Sequence, residues 1–145
     1  MNIIMYHYVR DLSHSRYPKI KGLDTELFKE QITYLKKNFT IVTMEKVIDI
    51  TTRGGHLPDN SMLLTFDDGY IDNFTNILPI LKQHKLQGSF FIPGKTFTED
   101  VLLDVNKIHF ILASASEKEI VEDLFILLNN LRDIYSDIPD NDKGN

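Results

Sequence analysis

Leu63-Leu64-Thr65-Phe66-Asp67-Asp68-Gly69-Tyr70 decides how this chain is read. The nearly continuous apolar run from Met62 to Phe66 fits a strand covered on both faces, as the strands of parallel sheets are. Two adjacent carboxylates follow where that strand ends. Charge beside an apolar strand end is costly unless cations, a metal or hydrogen bonds offset it, so the pair marks a candidate site. The alternative is a strand-end turn in which one carboxylate caps the next helix through backbone N–H groups.

The flanking sequence alternates strand and helix. Asn2 to Met5 reads as a first strand, and Asp11 to Gly22, rich in Ser, Pro, Gly and charge, as a loop. Asp24 suits a helix N-cap, with Leu27, Phe28, Ile32 and Leu35 in helical period up to Asn38 and Lys36 and Lys37 at the negative end of the dipole. Phe39 to Val42 is a brief second strand. Thr43 then caps a helix holding Val47, Ile48 and Ile50, which stops at Gly54-Gly55. Met62 to Phe66 is the third strand, Ile71 to His84 a helix that Pro79 opens afresh or kinks, and Gly88 to Ile92 the fourth strand. Such alternation implies a parallel sheet with active groups at the carboxyl ends of its strands, where Asp67 and Asp68 stand. Beyond Pro93-Gly94 only helices are expected, at Asn106 to Ala113 and Glu117 to Leu131, the second with Ser116 and Glu119 as a capping box. Residues 1–132 are expected to form one domain and the polar tail 133–145 to fray.

Composition narrows the function. With 145 residues, 42% of them hydrophobic, the chain suffices for one domain or part of one. A net charge of -5 argues against nucleic acid as a ligand, with Lys19, Lys21, Lys36 and Lys37 a scattered exception. The absence of cysteine excludes disulfides, thiolate metal sites and thiol nucleophiles, so any metal must be held by His, Asp or Glu. Met1 to His7 carries no signal-peptide pattern, and no stretch approaches the roughly 18 apolar residues of a membrane span; the chain reads as cytoplasmic.

Met5-Tyr6-His7-Tyr8-Val9 on the first strand and Leu64-Thr65-Phe66-Asp67-Asp68-Gly69-Tyr70 on the third together resemble the polysaccharide deacetylase family, of NodB-homology, carbohydrate esterase type. Phe28 and Gln31 before Leu35, Asn73, Pro79 to Leu81, and Gly88-Ser89-Phe90-Phe91 extend the likeness over residues 1 to about 93. The resemblance implies an α/β fold, a distorted (β/α) barrel of which this chain holds the N-terminal portion: about four parallel strands with intervening helices, then C-terminal helices. It implies a hydrolase of carbohydrate metabolism that removes N-acetyl groups from sugars with a divalent metal, zinc being the first choice. By position, Asp67 would be the catalytic base and Asp68 a metal ligand. A metal acidifies bound water and a free carboxylate takes the proton, so the division is chemically sensible. His7 and Tyr70 would lie on the site rim.

The departure from the family pattern matters as much. The family's further ligands are a His-x-x-x-His pair, and a later histidine serves as acid; here histidines stand at 7, 14, 56, 84 and 109, with no two at such a spacing. The metal site is therefore expected to be incomplete. About four strands also fall short of the roughly eight that close a barrel, so exposed edges and self-association are expected. Interruption of a longer chain is the favoured explanation, with a non-catalytic carbohydrate-interacting module as the alternative. A Mg-dependent phosphoryl-transfer or receiver-like domain also places acids at a strand end, but it would want a lysine after a fifth strand. Lys19 and Lys21, with Arg16 and Tyr17 in the first loop, read as solvated or as contacts for a sugar or an anionic carrier. His109 reads as a packed residue of an apolar helix, His14, His56 and His84 as surface residues, and Phe90 and Phe91 as core.

Overall fold

A computed structural model describes residues 1–139. Four parallel strands make the main sheet: β1 (Asn2–Tyr6), β4 (Thr40–Val42), β5 (Ser61–Phe66) and β6 (Ser89–Phe90). β5 is central, as its apolar run predicts. β1 pairs along one whole edge of it, from Asn2↔Met62 to Tyr6↔Phe66. Its other edge is divided between β4, at Ser61 to Leu63, and β6, at Thr65 and Phe66. A second pair, β2 (Val9–Arg10) with β3 (Leu23–Asp24), is also parallel and was not foreseen from the sequence. Two-residue strands carry too little pattern to be recognised before their partners are known.

The helices form where their caps predict. α1 (Thr25–Asn38) starts at Asp24, whose carboxylate accepts from the Glu26 N–H at 2.9 Å. α2 (Met44–Arg53) starts at Thr43, whose hydroxyl accepts from the Lys46 N–H, and ends at Gly54 with φ of 83°. The helix expected over 71–84 forms, with a π-helical turn inside it. A π-helical turn (Asn73–Ile77) precedes α3 (Leu78–His84), and the Leu78 N–H donates to the Asn73 carbonyl. Pro79 explains the π-helical turn: without an N–H, and with a ring crowding the carbonyl four residues back, it fits a widened turn. A short helix, α4 (Gly94–Thr98), precedes α5 (Asp104–Ser114) and α6 (Glu117–Arg132).

α6 opens with the expected capping box. The Ser116 side chain accepts from the Glu119 N–H, while the Glu119 carboxylate accepts from the Ser116 N–H at 2.8 Å and its hydroxyl at 2.7 Å. These bonds, the backbone one foremost, hold the Glu119 carboxyl below its ordinary value of 4.5. The cap's contribution is therefore complete above the unfolded-state value and lost as pH falls through the lower folded one. Ser116→Ala is expected to lower the melting temperature by about 2–4 °C at pH 7 and by less at pH 3, read by circular dichroism.

The core lies on one face of the sheet. Ile4 and Tyr6 of β1 and Met62, Leu64 and Phe66 of β5 pack against Phe28, Ile32 and Leu35 of α1 and against Ile77, Ile80 and Leu81. The opposite face is unevenly covered: Leu63 and Thr65 are buried, whereas their β1 neighbours Ile3 and Met5 are each 59% exposed. Helices on one side and a half-open second side make a barrel wall, not a closed barrel.

Phe90 and Phe91 correct the expectation that both are core. Phe90 stacks on Phe66 with centroids 4.9 Å apart but remains part-exposed, and Phe91 is 50% exposed. β6 is only two residues long and borders nothing further, so its outer side chains have no covering layer. Gly88 is needed just before it, since a Cβ there would stand 2.4 Å from the Phe66 ring. Residues 133–139 continue α6 in turns, with the Tyr135 N–H donating to the Leu131 carbonyl at 2.8 Å, and 140–145 of the expected frayed tail lie outside the described residues.

Candidate functional site: the aspartate turn

Asp67 and Asp68 leave the carboxyl end of β5 in a turn that the backbone explains. The Asp67 N–H donates to the Tyr6 carbonyl at 2.9 Å, which extends the β1–β5 pairing one step beyond Phe66. The chain then turns through two consecutive left-handed residues, Asp68 at φ 69° and Gly69 at φ 63°. Aspartate is among the few residues with a side chain that tolerate this region. Gly69 has a second reason to be glycine, because a Cβ would lie 2.7 Å from the Ile92 side chain. The change of backbone region between Asp67 and Asp68 separates two side chains that a continued strand would simply alternate. The sequence pointed to Gly69 as the turning residue; that Asp68 shares the conformation became visible only in the structure.

The two carboxylates have different company. Among the described residues no hydrogen-bond or ion-pair partner engages the Asp67 carboxylate. Asp68 acts on the Tyr70 hydroxyl through its charge. Burial, then the hydrogen bond with Tyr8, then these charges push the Tyr70 hydroxyl well above the usual phenol range. Both rim candidates stand near the pair in sequence register: His7 is half-buried and directly follows Tyr6, the residue paired with Phe66, and Tyr70 closes the turn. Neither carboxylate caps the following helix, which has no side-chain cap bond at its start.

A hydrogen-bonded chain backs the turn. The Asn106 amide donates to the Tyr70 hydroxyl, Tyr70 donates to the Tyr8 hydroxyl at 2.5 Å, and Tyr8 meets His109 Nδ1 at 3.2 Å. The Tyr8 and Tyr70 rings stack with centroids 4.3 Å apart. Sequence reasoning missed Tyr8 and Asn106 as parts of this arrangement, because their partners His109 and Tyr70 lie 101 and 36 positions away and share no local signal with them. His109 is likewise corrected: it is exposed, not packed among apolar side chains, and meets Tyr8 through Nδ1 and through an edge-on ring contact with centroids 5.7 Å apart.

Behind Tyr8, the Arg10 guanidinium lies 4.8 Å from the ring centroid and donates to the largely buried Asp72 carboxylate, Nε at 2.8 Å and Nη2 at 2.6 Å. The Asn76 amide donates to the Val9 carbonyl at 2.8 Å. These contacts pin β2 to the helix that follows the aspartates, so the turn is clamped on both sides. Buried charge is tolerable here because each partner satisfies the other.

The donor set does not complete a metal centre. Among the described residues no three His, Asp or Glu side chains converge to hold an ion. A catalytic divalent metal ordinarily takes three protein ligands and keeps one position open. Asp67 and Asp68 are two adjacent carboxylates with no histidine beside them in such a group. No helix among the described residues is long and apolar enough to cross a membrane.

The family model described as polysaccharide deacetylase matches residues 54–123, which include β5 and the aspartate turn. YxkH of Bacillus subtilis (strain 168), a protein named for the same family, is 28% identical over 95 residues, 65% of this chain and 32% of that protein. The poly-beta-1,6-N-acetyl-D-glucosamine N-deacetylase of Escherichia coli (strain K12) is 31% identical over 80 residues, 54% of this chain and 12% of that enzyme. The chain thus spans a third or less of the length of these relatives. A solved de-N-acetylase from Aggregatibacter actinomycetemcomitans superposes with a TM-score of 0.53 and 26% identity, covering 61% of this chain and 36% of that one. The parallel sheet with its outer helices is accordingly a portion of a deacetylase-type (β/α) barrel.

Proposed function

We propose, for a chain that belongs to the polysaccharide deacetylase family, that it carries the carboxylate half of a sugar N-deacetylase active site. The observation that supports this best is the aspartate turn: two carboxylates at the end of the central strand, separated by a left-handed backbone step and held from behind by a buried polar network. In this reading Asp67, with no partner among the described residues, is the base toward a sugar N-acetyl group. Asp68, whose charge acts on Tyr70, is one ligand of a divalent metal, zinc by preference. His7 and Tyr70 border the substrate. The described residues do not supply the other ligands, so the chain in isolation lacks a working centre.

Two measurements on the chain as it stands test this. Incubated with an N-acetylated glucosamine oligosaccharide and zinc, it is expected to release no acetate; measurable release would overturn the incomplete-centre argument. Zinc titration followed by calorimetry should find one weak site, which Asp68→Ala weakens by at least about tenfold and Asp67→Asn leaves in place. Equal affinity in the Asp68→Ala chain would remove Asp68 from the role of ligand.

A further inference from the structure

Lys19 and Lys21 flank Ile20, a residue buried against Tyr8 and Ala113. The loop that carries them is set firmly: the Ile20 N–H donates to the Tyr17 carbonyl at 3.1 Å, the Gly22 N–H to the Ile20 carbonyl at 2.8 Å, and the Tyr17 ring meets the edge of Phe110 with centroids 4.8 Å apart. With Ile20 anchored, both lysines line one cavity of about 290 Å³, together with His109, Leu112 and Ala113 of α5. Among the described residues neither ammonium is engaged in an ion pair. The carboxylate nearest in effect is Glu119, whose titration Lys19 shifts slightly through charge while its own bonds go to Ser116.

His109 reaches the hydroxyl chain behind the aspartate turn through one ring nitrogen. Its Nδ1 meets the Tyr8 hydroxyl at 3.2 Å, which leaves Nε2 outside that contact. The cavity is lined by two ammoniums and one imidazole, with apolar Leu112 and Ala113 completing the wall and no carboxylate among its lining residues.

We propose that this cavity binds a phosphate monoester carried by a sugar. Two full positive charges, with an imidazole beside them, suit a tetrahedral dianion better than a singly charged planar carboxylate. The apolar wall and the remaining volume suit a sugar ring, which presents C–H faces as well as hydroxyls. The site is separate from Asp67 and Asp68 and uses neither, so it stands or falls independently of the deacetylase reading.

The full chain, with its five histidines resolved by proton NMR at fixed pH and ionic strength, provides the test. Probes are inorganic phosphate, N-acetylglucosamine 1-phosphate and, as a neutral control, N-acetylglucosamine. The His109 ring resonances are expected to shift saturably with both phosphates and not with the neutral sugar, while exposed His56 stays in place. Tighter binding of the sugar phosphate identifies an ester site, and equal binding identifies phosphate alone as the recognised group, which would overturn the sugar part of the assignment. The paired exposed-site substitution Lys19→Ala with Lys21→Ala should weaken binding by about tenfold or more. His109→Gln, which keeps an N–H donor, should retain more affinity than His109→Phe. An unmoved His109, equal movement of His56, or undiminished binding without the lysines would overturn the proposal.

Discussion

Asp67→Asn is expected to lower turnover by about 10²–10⁴-fold in a deacetylase that contains this strand and turn, the range a positioned general base supplies. Because no three His, Asp or Glu side chains converge among the described residues, the measurement uses a chimera: residues 1–93 grafted into the Escherichia coli N-deacetylase in place of its corresponding strands, assayed for acetate released from its named polymer. The substitution keeps the shape of the side chain and one oxygen acceptor, and removes only basicity. It touches no fold contact of its carboxylate, since no partner engages that group among the described residues. The loss should fall on kcat with KM nearly unchanged, as expected when an interaction confined to the transition state is removed. An active chimera whose Asp67→Asn form keeps its rate within about threefold would remove Asp67 from the role of base.

Phe66→Ala should cost about 3–5 kcal/mol, a large share of the stability of a domain this size. Phe66 is 0% exposed and joins three rings: stacked with Tyr6 at 5.3 Å and with Phe90 at 4.9 Å, and edge-on to Phe28 at 6.1 Å. Removing it deletes the common member of a cluster that connects β1, α1 and β6, and the glycine at 88 has no side chain to fill the space. Urea denaturation should show a lower midpoint with little change in slope, the pattern of lost stability without a changed denatured state. Phe66→Leu, which keeps most of the volume, should cost less than half as much. A midpoint shift equivalent to under about 1 kcal/mol in the alanine form would show that the ring cluster is not the centre of the core.

Much of the fold was readable before any tertiary contact was known. β5 was recognisable because a central parallel strand must be apolar on both faces, and every residue from Ser61 to Phe66 is buried. α1, α2 and α6 were recognisable because Asp24, Thr43 and Ser116 satisfy N–H groups that each helix start leaves open. The readings that failed depended on what lies beside an element. Phe90 and Phe91 look like core residues in any apolar strand, yet β6 is a two-residue edge. The 71–84 helix forms as read, and only the π-helical turn at 73–77 within it lies beyond what a periodicity can express.

The sequence by itself determined the parallel strand order's central member, the capped helices, the carboxylate pair at the strand end and the shortage of histidines to accompany it, because each of these is a property of adjacent residues or of composition. Only the tertiary structure decided that Asp68 turns in the left-handed region, that Asp67 has no partner among the described residues while the charge of Asp68 acts on Tyr70, and that Asn106, Tyr70, Tyr8 and His109 form one hydrogen-bonded chain. Those are matters of which distant groups meet and which donor is left over. They are set by packing, to which no local pattern of side chains corresponds.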